Sequence, residues 1–558
     1  MCTISLTLPY SIPVPRSVVG VPGQTRTRPV VSRRSVIRGT LGLSAMSALG
    51  ALPAVAGARP ADGRTGIVIG SGFGGAVAAL RLGQAGYTTT VFERGRRWPI
   101  RADGNTFATF TKPDGRAAWF SGSVGLTADI SIPVGRYPGI LDRVRGNGID
   151  AVYGVGVGGG SLAFGAFTPV PRRQDFSAVF PGGTGYDELA ATYYPRARQM
   201  LGASPLPPDI MAHPRYVGTR SWRDTVRRYG KEPVSFAYAI DWDIVRDELA
   251  GRAVASIING ELGFGVNSGA KNSVDHNYLP AAEATGNVSI RPMHEVVEIR
   301  PRSRQPGFVV TAREIDEEYR TLRMVTAESD YLFMAAGSFH TTRMLVEARA
   351  KGHLPRLSGK IGEGFGANGD FLTARTALSD DYGAVQGGPG FGRLYEDDLP
   401  GGPASIVYHS TPLPAPFGKA ATTNLIQVHS DERGSVDYDH SSGTAVLNYP
   451  FPEGNALDQR GVTFAELFRQ RAEVRHGRVA SGIPIYSRAA GFGSGSTYHG
   501  LGGVVMNHAA AMDGAVLGYP NLYVVDGSFV PGAVGLVNPS LTITALAERT
   551  MDRFLATH

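Results

Sequence analysis

Hydrophobic residues come in short bursts between glycine-rich polar stretches, and their spacing alternates between that of strands and that of helices. Ile67, Val68 and Ile69 form the continuous apolar run of a strand buried on both faces. An alanine-rich stretch follows, with Ala76, Val77, Leu80 and Ala85 placed to pack on that strand's sheet, and Gly86 ends it as a helix. Thr88–Phe92 predicts a second strand. Residues 288–300 alternate as one strand, 331–336 form another apolar strand, and 340–349 a helix. Residues 522–525 predict one more buried strand, and 540–556 a terminal helix. Residues 435–449 have the pattern of a hairpin around a Ser-Gly turn, and the Gly/Pro clusters at 386–392 and 400–403 are loops. No internal repeat interrupts the pattern.

The junction of the first strand and helix carries the chemistry. Gly70, Gly72 and Gly75 give G-x-G-x-x-G, with Phe73 and Gly74 inside it. Glycines let the backbone turn tightly and approach a pyrophosphate, while the helix N-terminus offers free N–H groups and a positive dipole. Glu93, at the end of the second strand, lies where a carboxylate accepts hydrogen bonds from ribose hydroxyls. It would repel a 2′-phosphate, although Arg94, Arg96 and Arg97 lie close by. The fingerprint leaves FAD and NAD both open. At 558 residues the chain is too long for one core. The expected fold class is therefore α/β. A discontinuous Rossmann-like domain (residues 59–100, 271–364 and 513–558) is joined by an α+β substrate domain with a mainly antiparallel sheet (101–270 and 365–512).

Composition is that of a globular protein, 42% apolar and 18% charged. The formal charge of +7 misleads, because residues 1–58 hold six arginines and no acid. The remainder of the 55 basic residues, 49, meets 48 acidic ones, which gives no argument for nucleic-acid binding. The segment 1–58 reads as a leader. Arg33 and Arg34 precede a mild Gly/Ala/Leu stretch at 39–52, too short and weakly apolar for a membrane span, and A-x-A cleavage sites follow at 54–58. It resembles a twin-arginine export signal, implying a folded, secreted protein. The only cysteine, Cys2, lies inside it, so the mature chain is expected to have no disulfide, cysteine nucleophile or thiolate metal site.

Further motifs extend along nearly the whole mature chain. They are the glycine-rich run at 154–162, Val296-Val297, Gly362-Glu363-Gly364-Phe365-Gly366-Ala367-Asn368-Gly369-Asp370, Tyr498-His499-Gly500-Leu501-Gly502-Gly503, Asp526-Gly527-Ser528, and the block from Asn538-Pro539 to Arg549. In that order they resemble the glucose–methanol–choline (GMC) oxidoreductases, and within them the bacterial cholesterol oxidases with non-covalent FAD. Asp103-Gly104-Asn105, Trp119-Phe120 and residues 137–144 also look like positions of those oxidases. The resemblance implies that Gly70, Gly72, Phe73, Gly74, Gly75, Glu93, Gly158, Gly159, Gly160, Ser161, Val296, Gly337, Asp526, Gly527, Asn538 and Pro539 surround the cofactor. No histidine lies within residues 96–170, where relatives with covalent flavin would be expected to attach it. His499 sits among small residues and is the candidate base, since a neutral imidazole can take a hydroxyl proton near pH 7. Asn538 resembles the family asparagine whose amide stabilises the reduced ring, and the N-terminal end of the last helix, near 539–541, would favour that ring's negative charge.

Three positions depart from the resemblance. His409 stands where those oxidases carry the glutamate that moves the substrate double bond, Phe164 replaces an asparagine, and Phe167 a methionine. The expectation is an exported, monomeric FAD-dependent oxidase of sterol or steroid 3β-hydroxyls that passes electrons to O2. Uptake of sterol by transient membrane-surface contact is expected, and isomerisation is doubtful. The alternatives are a GMC-type dehydrogenase of another bulky alcohol with a different acceptor, and a non-catalytic sterol-binding flavoprotein.

Overall fold

The computed structural model describes residues 63–125, 131–183, 185–376, 381–410, 419, 421–450, 456–476, 485–486 and 495–558. The twin arginines and the Pro412-Leu413-Pro414 stretch beside His409 lie outside the described residues.

A six-stranded sheet forms the frame, and its strands come from three separated stretches of chain. Thr65–Ile69 pairs in parallel with Thr88–Phe92 on one side and Tyr331–Met334 on the other. Val288–Arg291 extends the first side, and Tyr519–Val524 the second, both in parallel. Ala515–Val516 adds an antiparallel edge. Ile67, Val68, Leu332, Phe333 and Met334 are buried, as a sheet covered on both faces demands. The helix Phe73–Gln84 covers it together with Tyr278–Ala284 and the C-terminal Ser540–Thr557. The chain leaves Thr65–Ile69 toward one edge and later returns on its other side. The crevice between the carboxyl ends of Thr65–Ile69 and Tyr331–Met334 is thus a topological switch point, the position where open α/β sheets bind ligands.

Residues 288–300 correct the sequence reading. They form two strands, Val288–Arg291 in the six-stranded sheet and His294–Pro301 in a meander with Phe308–Ile315 and Thr321–Ser329. Pro292 lacks a donor for the ladder, and Met293 has φ of 57°, so the alternation continues while the direction breaks. The turn docks on the second strand's exit, through Met293 N to Gly95 O at 3.1 Å and His294 N to Glu93 O at 2.9 Å.

A five-stranded antiparallel sheet runs in the order Arg393–Glu396, Ala404–His409, Ala421–Val428, Asp370–Thr376, Ile485–Tyr486. It presents Asp370 at the start of one strand and His409 at the end of another. The hairpin expected at 435–449 is Gly434–Asp439 paired with Thr444–Asn448.

Candidate active site

One cavity of about 860 Å³ runs from the glycine loop of the first strand to the strands of the antiparallel sheet. At its nucleotide end, Gly70, Gly72, Phe73 and Gly74 face Gly159 and Gly160 of the second glycine-rich run. The glycines divide by function. A Cβ on Gly70 would lie 2.3 Å from Ala335 O, on Gly74 1.8 Å from Val525 O, and on Gly75 2.1 Å from Gly70 O. These three let the loop and helix close onto the sheet. A Cβ on Gly72 would meet nothing nearer than 3.9 Å, and one on Gly160 nothing within 4 Å. Their missing side chains leave room in the cavity itself. Gly72 also gives the first helix no side-chain cap, so its first N–H groups remain available to an anion there. An elongated nucleotide with a pyrophosphate fits this arrangement.

Glu93 lines the cavity, and its carboxylate accepts from Ser71 Oγ (2.7 Å), Ser71 N (3.1 Å), Gly95 N (2.9 Å) and Gly156 N (3.4 Å). Burial pushes this carboxyl above its ordinary value, against those donors. The neighbouring arginines are each engaged: Arg94 with Asp142 at 2.7 Å, Arg96 with Glu317 at 3.0 Å and Arg97 with Glu283 at 2.5 Å. A 2′-phosphate therefore meets a carboxylate and arginines already committed elsewhere. Val296 and Gly337 also line this end. Asp526 lines the cavity too, and it accepts from Gly337 N (2.8 Å) and Thr341 Oγ1 (2.6 Å), tying two turns together. Gly75, Gly158 and Ser161 support the loops without forming the wall. Ser161 Oγ donates to Gly158 O at 2.7 Å and accepts from Val274 N at 3.0 Å.

At the other end the structure brings His499, Asn538 and His409 together with Gly527, Pro539 and Ser540. Phe110, Phe164, Phe167, Leu262, Phe264 and Leu372 make the wall there aromatic and aliphatic. His499 Nδ1 lies 2.7 Å from Asp370 Oδ2, and its Nε2 is 3.5 Å from Asn538 Nδ2. The two phenylalanines that depart from the family pattern have partners. Phe164 meets Phe73 edge-on at 5.2 Å, and Phe167 meets the His409 ring at 4.7 Å and 82°. Burial, reinforced by His499 and Arg393, lowers His409 to about 3, so it is neutral in ordinary buffer. Its Nε2 has no hydrogen-bond partner among the described residues.

Four residues escaped the sequence reading. Asp370 stood in the quoted 362–370 segment without a role. Arg393, Gln427 and Lys271 carried no motif. Lys271 is buried behind the wall and donates to the carbonyls of Leu162 (2.6 Å), Leu262 (2.9 Å) and Phe164 (3.2 Å). Burial lowers its ammonium to about 7. Asn368 gives the 362–370 segment a structural role: it accepts from Val534 N and donates to Val537 O, so it braces the loop leading to Asn538.

Residues 431–547 match the family model described as GMC oxidoreductase, and residues 68–123 match an NAD(P)-binding Rossmann-like domain. A cholesterol oxidase of Acinetobacter baumannii is 24% identical over 553 residues, covering 88% of this chain and 94% of that protein. A cholesterol oxidase of Mycobacterium tuberculosis is 26% identical over 573 residues, covering 87% and 89%. The fold is similar to that of a fungal aryl-alcohol oxidase, with a TM-score of 0.59 at 14% identity over 89% of this chain and 99% of that one.

Proposed function

Since the chain belongs to the GMC oxidoreductases and its cofactor is FAD, we propose that it is an exported oxidase of sterol or steroid 3β-hydroxyl groups, with O2 as acceptor and H2O2 as product. The observation that carries this reading is the meeting of His499 and Asn538 with an apolar wall, in a cavity continuous with the nucleotide loop. The relatives named as cholesterol oxidases support the substrate class. The glycine loop holds the pyrophosphate, Glu93 the adenosine ribose, and the Gly527 and Asn538–Ser540 region the flavin end. Bound FAD supplies the two-electron acceptor for the hydride lost from the alcohol carbon. His499 takes the hydroxyl proton, and Asn538 donates toward the charge that develops. The aromatic wall excludes water and orients a rigid apolar ring system. An oxygen-electrode assay with cholesterol tests the reading: peroxide should form in proportion to oxygen consumed. Turnover only with an artificial acceptor would favour a dehydrogenase.

FAD is held non-covalently in this account. Acid precipitation should release a yellow supernatant, and colour left in the pellet contradicts it. Export by the twin-arginine route predicts that Arg33→Lys with Arg34→Lys retains folded, yellow precursor in the cytoplasm, because lysine keeps the charge and loses the guanidinium geometry. Normal export of the double variant rules that route out. The chain acts as a monomer that takes sterol from a membrane surface transiently. Light scattering and co-sedimentation with sterol vesicles check both statements.

His409 governs what the product is. Moving a Δ5 double bond into conjugation requires a base at C4, and a carboxylate in an apolar cavity suits that shuttle. An imidazole held at about 3 is a weak proton acceptor. A 3β-hydroxy-5-ene sterol should therefore yield mainly the unconjugated 5-en-3-one. Absorbance in the enone band checks this during turnover. Conjugated enone appearing at the rate of peroxide would show that some residue replaces the glutamate.

A further inference from the structure

The antiparallel sheet carries a buried polar chain that ends on both chemical groups of the site. Arg393 is fully buried. Its Nη1 donates to Gln427 Oε1 at 2.6 Å, and its Nη2 to Asn538 Oδ1 at 2.7 Å. Gln427 Nε2 donates onward to Asp370 Oδ1 at 3.1 Å and to Val537 O at 3.0 Å. Asp370 Oδ2 faces His499 Nδ1 at 2.7 Å and also accepts from Thr497 Oγ1 at 3.1 Å. The Asp370 and His499 side chains are only 4% and 15% exposed.

A guanidinium has donors and no acceptor, and an ionised carboxylate has acceptors and no donor. Those two facts orient every group between them. Arg393 forces the oxygen of Asn538 toward itself, so Nδ2 is the atom left facing His499 and the cavity. It likewise forces the oxygen of Gln427 inward, which turns that amide's Nε2 onto Asp370. Asp370 then requires His499 Nδ1 to carry the ring proton. In a neutral imidazole this leaves Nε2 with a free lone pair. We propose that Asp370 and Arg393 are the positioning residues of the site: Asp370 fixes His499 as a proton acceptor at Nε2, and Arg393 fixes Asn538 as a donor at Nδ2.

The consequence concerns one substrate oxygen. A hydroxyl between these groups donates its proton to His499 Nε2 and accepts from Asn538 Nδ2. As the O–H bond breaks, the proton moves to Nε2. The imidazolium so formed remains paired with the Asp370 carboxylate, while the Asn538 amide faces the oxygen's growing negative charge. With the opposite tautomer, Nε2 would present a proton where a lone pair is needed. Carboxylate–histidine pairs elsewhere lose about 10⁴-fold in rate when the carboxylate becomes an amide and the tautomer is wrong.

The proposal rests on the reading of His499 as the base, and the test separates the two. The first measurement needs only the holoenzyme and His499→Ala. In ¹⁵N-histidine-labelled holoenzyme, the ring signals absent from His499→Ala should show the proton on Nδ1, with a proton resonance shifted far downfield by the carboxylate. A proton on Nε2 overturns the proposal. The second is Asp370→Asn, with flavin content and anaerobic flavin reduction measured. Reduction is expected to slow by about 10²–10⁴-fold, with FAD still bound and the apparent substrate affinity little changed. Asp370→Glu should recover part of that loss. Arg393→Lys keeps the charge and loses the two-pronged donor; it should slow reduction without moving the His499 proton. If His499→Ala is slow but Asp370→Asn reduces at the wild-type rate, positioning by Asp370 is wrong and the base assignment stands. If His499→Ala itself reduces normally, the base assignment fails, and the proposal with it.

Discussion

Replacing His499 with alanine is expected to leave FAD bound and to slow flavin reduction by about 10²–10⁴-fold, the range supplied by a general base. The cofactor should survive because His499 lies at the chemical end of the cavity, away from the glycine loop and Glu93. The backbone there is held by other groups, among them Gly502 N to Gly527 O at 2.8 Å. The rate should fall because the imidazole beside His499 at this end of the cavity, His409, is held at about 3, and its Nε2 has no hydrogen-bond partner among the described residues. Anaerobic stopped-flow monitoring of flavin absorbance measures the effect directly. Wild-type reduction rates in this variant would move the proton acceptor to another residue.

The second large effect separates glycines that build the loop from glycines that leave room for the cofactor. Gly74→Ala would place a methyl 1.8 Å from Val525 O and 2.6 Å from Val525 C, both backbone atoms that cannot swing aside. The first helix must move off the sheet, at a cost of about 1–3 kcal/mol or more. Both thermal stability and flavin content should fall. Gly160→Val is the contrasting case. A Cβ there touches no protein atom within 4 Å, yet Gly160 lines the cavity. The apoprotein should unfold at the wild-type temperature. FAD affinity should drop by about 10–100-fold, the equivalent of 1–3 kcal/mol of overpacking. Calorimetry of apoprotein and titration with FAD distinguish the two. Equal loss of apoprotein stability in both variants would mean that Gly160 is structural and the cofactor space is misplaced.

What the sequence revealed followed the range of the interactions involved. The first strand, helix and second strand were legible because their apolar spacing, turn glycines and Glu93 lie within thirty-one consecutive residues. His499 and Asn538 were legible because each sits in a long motif. Residues 288–300 were misread because a proline and a residue with positive φ redirect the chain without disturbing its alternation. Asp370 and Arg393 escaped for a different reason. Their roles arise from partners 129 and 145 residues away, brought close by the antiparallel sheet. A carboxylate or a guanidinium becomes informative only when its buried surroundings force it to accept or to donate. The phenylalanines at 164 and 167 read as departures from the family pattern, and only their packing on Phe73 and His409 shows them as parts of one wall.

Purified protein should show the absorbance of oxidised FAD, and cholesterol added without oxygen should bleach it fully, with colour returning on admission of air. Flavin that stays oxidised with cholesterol and with other 3β-hydroxysteroids would contradict the assignment.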